Sequence, residues 1–417
     1  MKYSFSYSVP ASKPTADQLV AQAQALEKGG QLEAAVSRYE QALVLDPNHL
    51  NSLQLLGALS LSLGAFERAK QCFGKVNEHL PGFAQAYRYR GLVFASLLQF
   101  EDALRCFDKA VSLEPEHVGG WFNRAVVLQS LLRLDDAIAA YEDIVRKEPA
   151  HEQARWNLGI CHLLNGDLLP GFELFENRWK NESFRQHQGG RVLHQPQWKG
   201  HDSLHGKTLF VHAEQGLGDT IQFVRYVKLL AKSGVRVVCE VQPTLLSLVK
   251  SMDAPVEWMV RGEPIPAHDL QSPLLSLPAA LKTELASIPS ERAYLFPDQG
   301  KLSLWSARLD ADFGKSSGLR VGLVWQGSTT HANDAQRSLS LDVLKKALPS
   351  KVQYVALQKD LSDADIAALS GWADIVPLGR DFADFGDTAA VCAALDVVVS
   401  VDTSVAHLAG ALGKPVW

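Results

Sequence analysis

Cysteine is sparse in this 417-residue chain. Cys72, Cys106, Cys161, Cys239 and Cys392 stand far apart with no CxxC pair, so neither a zinc site nor a disulfide framework is indicated. Long apolar runs are missing as well. No stretch of eighteen apolar residues occurs, and the opening MKYSFSYSVPASKPT has no apolar h-region, which argues against a membrane span and a signal peptide and makes the cytoplasm the expected location. Positive charge is not in excess: 41 Lys and Arg face 46 Asp and Glu, a net charge of -5. That balance offers no basic footprint for a phosphate backbone, so nucleic acid is not an expected partner. Two common nucleotide loops are incomplete. In HAEQGLGDT the third glycine of GxGxxG falls at Ile221, and in GALGKP the first glycine of a P-loop falls at Leu408, with Pro415 where a Ser or Thr would hold magnesium.

What is present begins with a period. Pro47, Pro81, Pro115 and Pro149 recur every 34 residues, as do Ala35, Ala69, Ala103 and Ala137, the period of a helix-turn-helix unit. An aromatic, Tyr39, Phe73, Phe107 and Tyr141, follows each alanine by four residues, one helical turn along the same face. Ala23, Gly57, Gly91, Ala125 and Gly159 supply the small position of the first helix in each unit. A small residue lets two helices approach while the aromatic fills the groove beside it. Cys72 and Cys106 fall at one position of successive units and read as small buried hydrophobes. A fifth unit, WNLGICHLLNGDLLPGFELFENRW, keeps Gly159 and Phe175, carries Gly171 where the alanine stood, lacks the closing proline, and reads as a cap. After a polar tail of residues 1–15, residues 16–180 thus resemble the tetratricopeptide family. The resemblance implies a right-handed superhelix whose concave groove binds an extended peptide or another protein.

Past a polar linker at 181–204 the rhythm changes to short apolar runs alternating with amphipathic helices, the pattern of parallel α/β units. Strands are expected at KTLFVHAE, VRVVCEV and PVEWMV, and again at LRVGLVWQGS, VQYVALQKD, DIVPLG, DVVVSVD and KPVW. A Pro- and Gly-bearing stretch with one short helix, between Tyr294 and Gly318, separates the two sets. The expected fold class is therefore an α-solenoid followed by two Rossmann-like α/β domains, 205–300 and 318–417, joined by 301–317 and facing each other across a cleft.

In such domains ligands lie beyond the carboxyl ends of the strands. Gly216 and Gly218 permit a tight turn there, and Asp219 opens the next helix, either as its cap or as a functional carboxylate. Asp402, Thr403 and Ser404 stand where a strand runs into a helix, and free N–H groups at a helix start suit a phosphate. His407 faces either the cleft or the neighbouring helix. Gln326, Gly327 and Ser328 offer small polar groups at another strand end, and Arg337 and Lys359 offer positive charge for a diphosphate. No DxD-like acidic pair closes a strand, which is consistent with no metal, and no cofactor is expected.

GLGD, the QGS…RSL segment, LQK and D-x-x-x-V-x-x-A-L-D-x-V-x-S-V-D-T-S-V-A-H-L-A-G-A-L-G-K-P-V-W together resemble the heptosyltransferases, glycosyltransferase family nine, over residues 205–417. This resemblance implies a GT-B fold, a nucleotide-diphosphate sugar as co-substrate and an inverting, metal-independent transfer. It implies Asp219 as general base, the Asp402, Thr403, Ser404 and His407 segment as donor phosphate loop, and Arg337 near the basic donor contact. In the family the strand reached at Trp417 is followed by further residues and a helix crossing back, so the second domain is expected to be incomplete. Two functions follow: a repeat-guided glycosyltransferase acting on a protein or cell-surface acceptor, or a protein-binding scaffold with a remnant transferase domain. A nucleotide-binding regulator without transfer fits the same strand ends.

Overall fold

A computed structural model describes residues 13–187, 193–314, 318–328 and 334–417. The chain divides after Asn181 into two compact units. The first is a run of antiparallel helix pairs: α1 (Ala16–Lys28) with α2 (Leu32–Leu45), α3 (Leu50–Ser62) with α4 (Phe66–His79), α5 (Ala84–Ser96) with α6 (Phe100–Leu113), α7 (Val118–Ser130) with α8 (Leu134–Lys147), and α9 (Glu152–Asn165) with α10 (Leu168–Phe175). Each of the four prolines lies two residues beyond the end of a second helix, where its missing N–H costs nothing and its ring blocks continuation.

The ladders meet in the core. Ala35, Ala69, Ala103 and Ala137 are fully buried, and so are the four aromatics behind them. The rings are seated in two ways. A Cβ added at Gly57 would lie 2.9 Å from the Phe73 ring, and one at Gly91 would lie 2.8 Å from that of Phe107. In the units of the two tyrosines the corresponding small residues are alanines, Ala23 and Ala125, and each tyrosine reaches a polar residue on the first helix of its own unit. Tyr39 donates to Glu27 Oε2 at 3.0 Å, and Tyr141 donates to Gln129 Oε1 at 3.2 Å while accepting from Asn157. Where phenylalanine stands, the residue corresponding to Glu27 and Gln129 is Leu61 or Ala95. A buried hydroxyl therefore occurs only where an acceptor awaits it, as desolvation requires.

Two further features fall on the same 34-residue grid in the fold, the second with Phe83 in place of one histidine. Gly30, Gly64, Leu98, Leu132 and Gly166 all adopt positive φ at the turn between the paired helices. His49, His117 and His151 cap α3, α7 and α9, each Nδ1 accepting a backbone N–H, from Ser52, Gly120 and Ala154. The fifth unit closes differently: α10 has eight residues and passes into a 3₁₀ turn, Glu176–Lys180. There Arg178 is fully buried, stacked 4.6 Å from the Phe175 ring and paired with Glu176 at 2.6 Å.

The second unit begins with α11 (Glu182–His187) and holds two parallel sheets. β1 (Thr208–His212), β2 (Arg236–Val241), β3 (Val256–Val260) and β4 (Leu270–Pro273) form the first, in the order β3-β2-β1-β4. β5 (Arg320–Val324), β6 (Gln353–Ala356), β7 (Ile375–Pro377) and β8 (Val397–Ser400) form the second, in the order β7-β6-β5-β8. All the pairings are parallel, and the topology is the same twice. The connections are α12 (Leu217–Lys232), α13 (Leu246–Val249), α14 (Leu277–Ala280), α15 (Gln299–Phe313), α16 (Asp334–Arg337), α17 (Leu341–Ala347), α18 (Asp363–Ser370), α19 (Phe385–Ala393) and α20 (Ser404–Ala411).

Three expectations need correction. β4 was not expected, because LQSP has one aliphatic residue and a proline; it forms because β1 pairs with one of its edges and the 196–198 segment with the other, Trp198 N donating to Gln271 O at 2.8 Å. The linker at 181–204 therefore contributes a bridge to this sheet. KPVW makes a single bridge, Val416 beside Val398, rather than a strand. The helix expected to be short between Tyr294 and Gly318 has fifteen residues; Asp298 caps it, and its Trp305 and Leu309 are buried.

Candidate functional site

Strand order reverses direction from the centre of each sheet, between β1 and β4 and between β5 and β8, and ligands of such sheets generally bind beyond the carboxyl ends of the strands at that switch point. The loop after β1 enters α12 and the loop after β8 enters α20, and these two helices pack together. Their crossing is tight at Gly218. A Cβ there would lie 2.7 Å from His407 Cδ2 and 3.3 Å from Ser404 Cα. Absence of a side chain is thus what lets the two helix starts touch.

Asp219 occupies the third position of α12 and caps it, its Oδ2 accepting from Gly216 N at 3.0 Å. Burial raises its pKa, and the negative charge of Asp402 pushes in the same direction. The Gly216 N–H and His407 oppose the rise without cancelling it. The cap and the functional reading are therefore not exclusive: the carboxyl holds the loop through one oxygen while facing His407 and Asp402. His407 packs against the neighbouring helix at Gly218 and keeps about a third of its side chain exposed, with Nε2 3.9 Å from Asp402 Oδ1.

Thr403 precedes the first turn of α20, its hydroxyl 3.1 Å from that of Ser400. Arg337 reaches the same loop, Nη1 donating to the Asp402 carbonyl at 3.0 Å. Asp219, Gly218, Asp402, Thr403, Ser404, His407 and Arg337 are thereby gathered at one place. Gln326, Gly327 and Ser328 follow β5; Gln326 N donates to Gln358 Oε1 at 3.2 Å, and Gly327 lies against Arg337. Lys359 is not drawn into the group: its Nζ points to the Phe382 carbonyl at 3.4 Å, beyond the end of β6.

Three residues at this site were not singled out from the sequence, although Gln358 is the middle residue of the LQK segment. Asp334, only 8% exposed, accepts from Ser338 and Arg337. Gln358 steadies the β5 exit, and Gln242, just past β2, donates to the Gln215 carbonyl at 3.0 Å and steadies the turn before Asp219. For the two glutamines the available signal was position, a polar side chain immediately after an apolar run. Among the described residues no group of three His, Cys, Asp or Glu is placed to share a metal ion. All five cysteines are buried and free; burial pushes the thiols of Cys72, Cys106 and Cys161 up to about 11.

Tetratricopeptide-repeat family models match residues 84–117 and 127–169. The N-terminal region is a tetratricopeptide-repeat solenoid. Protein FlbA of Caulobacter vibrioides is 28% identical over 244 residues, covering 53% of this chain and 40% of that protein. The chain therefore spans two fifths of the length of this curated relative. Among solved structures, the crystal structure of MamA protein is 19% identical and covers 43% of this chain and 97% of its own, with a TM-score of 0.38. YrrB, described as a TPR protein with an unusual peptide-binding site, is 22% identical and covers 39% of this chain and 84% of its own, with a TM-score of 0.36. Among the described residues no helix is long and apolar enough to cross a membrane.

Proposed function

We propose that the second unit is a GT-B glycosyltransferase that moves a sugar from a nucleotide-diphosphate donor to a protein or cell-surface acceptor, and that the tetratricopeptide groove binds the acceptor or a partner. The domain at 205–300 takes the acceptor side and that at 318–417 the donor side. The observation that carries the reading is the Asp219 carboxyl, shifted upward by burial, facing the start of α20 where Arg337 also arrives. A carboxylate of raised basicity accepts a proton better than an ordinary one. As the acceptor hydroxyl forms its bond to the sugar carbon, Asp219 takes the proton and the bond to the departing phosphate breaks. Charge growing on the diphosphate is met by the N–H groups of the α20 start and by Arg337, so transfer proceeds without a divalent ion.

A second reading, a scaffold in which the tetratricopeptide repeats bind a partner and the second unit does not transfer, is favoured by the family matches within the repeats. Melting of the whole chain with UDP-, GDP-, ADP- and CDP-sugars separates the two, because a ligand of the native state raises Tm by mass action. Transferase chemistry requires a shift with one nucleotide sugar, kept in Asp219→Asn, together with release of nucleotide that this substitution abolishes. Folded protein that shifts with none of the four leaves the scaffold.

A further inference from the structure

We propose that Asp334 is a positioning residue of the donor site, which together with Gly327 seats the Arg337 guanidinium between the β5 and β8 exits, ready for a donor diphosphate. The inference rests on the glycosyltransferase reading. Asp334 is more than nine-tenths buried, and a carboxylate so placed must be paired to remain there. Its Oδ1 accepts from Ser338 Oγ at 3.0 Å and lies 3.4 Å from Arg337 Nε, and Ser338 Oγ in turn accepts from Gly327 N at 3.0 Å. From the far side of the guanidinium, Nη1 donates to the Asp402 carbonyl at 3.0 Å. A continuous line of hydrogen bonds thus ties the end of β5 to the end of β8, the two strands flanking the crevice.

Gly327 supplies an independent observation. A Cβ there would lie 2.5 Å from Asp334 Oδ1 and 2.6 Å from Arg337 Nη2, so the backbone gives up a side chain to make room for this ion pair. A guanidinium held by its Nε edge keeps a fixed orientation, and its remaining donors meet a phosphate without first losing side-chain freedom.

The test is a titration of the whole chain with UDP, GDP, ADP and CDP, read by Tm and by calorimetric Kd, for wild type, Asp334→Asn, Gly327→Ala, Arg337→Ala and the Asp334→Asn/Arg337→Ala double variant. Asp334→Asn and Gly327→Ala are each expected to weaken the bound nucleotide about tenfold, the scale of one charged hydrogen-bond arrangement. The double variant should bind no more weakly than Arg337→Ala, because Asp334 acts only through the arginine. Wild-type affinity in folded Asp334→Asn, or a further loss on adding it to Arg337→Ala, overturns the proposal. Should Asp334→Asn fail to fold, the same comparison with Gly327→Ala decides. Wild type that binds none of the four nucleotides sinks the transferase reading itself, and the proposal with it, before any variant is compared.

Discussion

Substituting alanine for glycine at two neighbouring helices of the solenoid should give opposite signs. Gly57 on α3 and Gly74 on α4 are both helical, and alanine is intrinsically better in a helix by about 1 kcal/mol. At Gly74 a new Cβ meets nothing within 4 Å, so that gain should be realised nearly in full, also through a less flexible unfolded chain. At Gly57 the same methyl would lie 2.9–3.1 Å from three atoms of the Phe73 ring. That ring is 1% exposed and stacked on Tyr89 at 5.1 Å, so it has little room to withdraw. Overpacking of this kind costs about 1–3 kcal/mol, which exceeds the propensity gain and leaves a net loss of about 1 kcal/mol. For a unit of this size a change of about 1 kcal/mol moves Tm by about 2–4 °C. Urea and thermal unfolding followed by far-UV circular dichroism would report it. If Gly57→Ala stabilised the protein as Gly74→Ala does, the seating of the Phe73 ring on the glycine would be refuted.

Phe107→Tyr should cost about 1–3 kcal/mol in the same assay, because Ala95 offers the new buried hydroxyl no acceptor; adding Ala95→Gln should recover part of it. His117→Ala should lose about 1 kcal/mol through the lost cap to Gly120, and His117→Asn should restore it. Asp219→Asn should leave the fold intact and become more stable than wild type as pH rises. The buried carboxyl of the wild type stays protonated above the usual carboxylate range, and its ionisation on further rise costs folding free energy that asparagine does not incur. Denaturation midpoints between pH 4 and 8 should therefore diverge upward, about equal at the acid end; midpoints that converge on raising the pH would contradict the burial.

The tetratricopeptide reading was available from residue types alone because each unit repeats its own local contacts. A proline two residues past a helix, an alanine at a crossing and an aromatic one turn later describe packing within 34 residues, and the folded chain places them there. The histidine caps and the positive-φ turns follow the same period, yet they stayed hidden. Leu98 and Leu132 occupy a conformation that normally advertises itself by glycine, and histidine is an uncommon cap. The strand β4 was illegible for a different reason: LQSP owes its place to the neighbours on its two edges rather than to an apolar pattern of its own.

Sequence by itself determined the period, the change from helical repeats to parallel α/β units, and which polar residues end strands, since all of these are properties of short stretches. Tertiary structure alone decided which strand ends meet. Asp219 and His407 come together because α12 and α20 cross where Gly218 has no side chain. Arg337 joins them because a buried carboxylate at Asp334 holds it, while Lys359, which carries the same charge, is turned to the Phe382 carbonyl instead. Charge at a strand end is local; its direction is set by what packs against it.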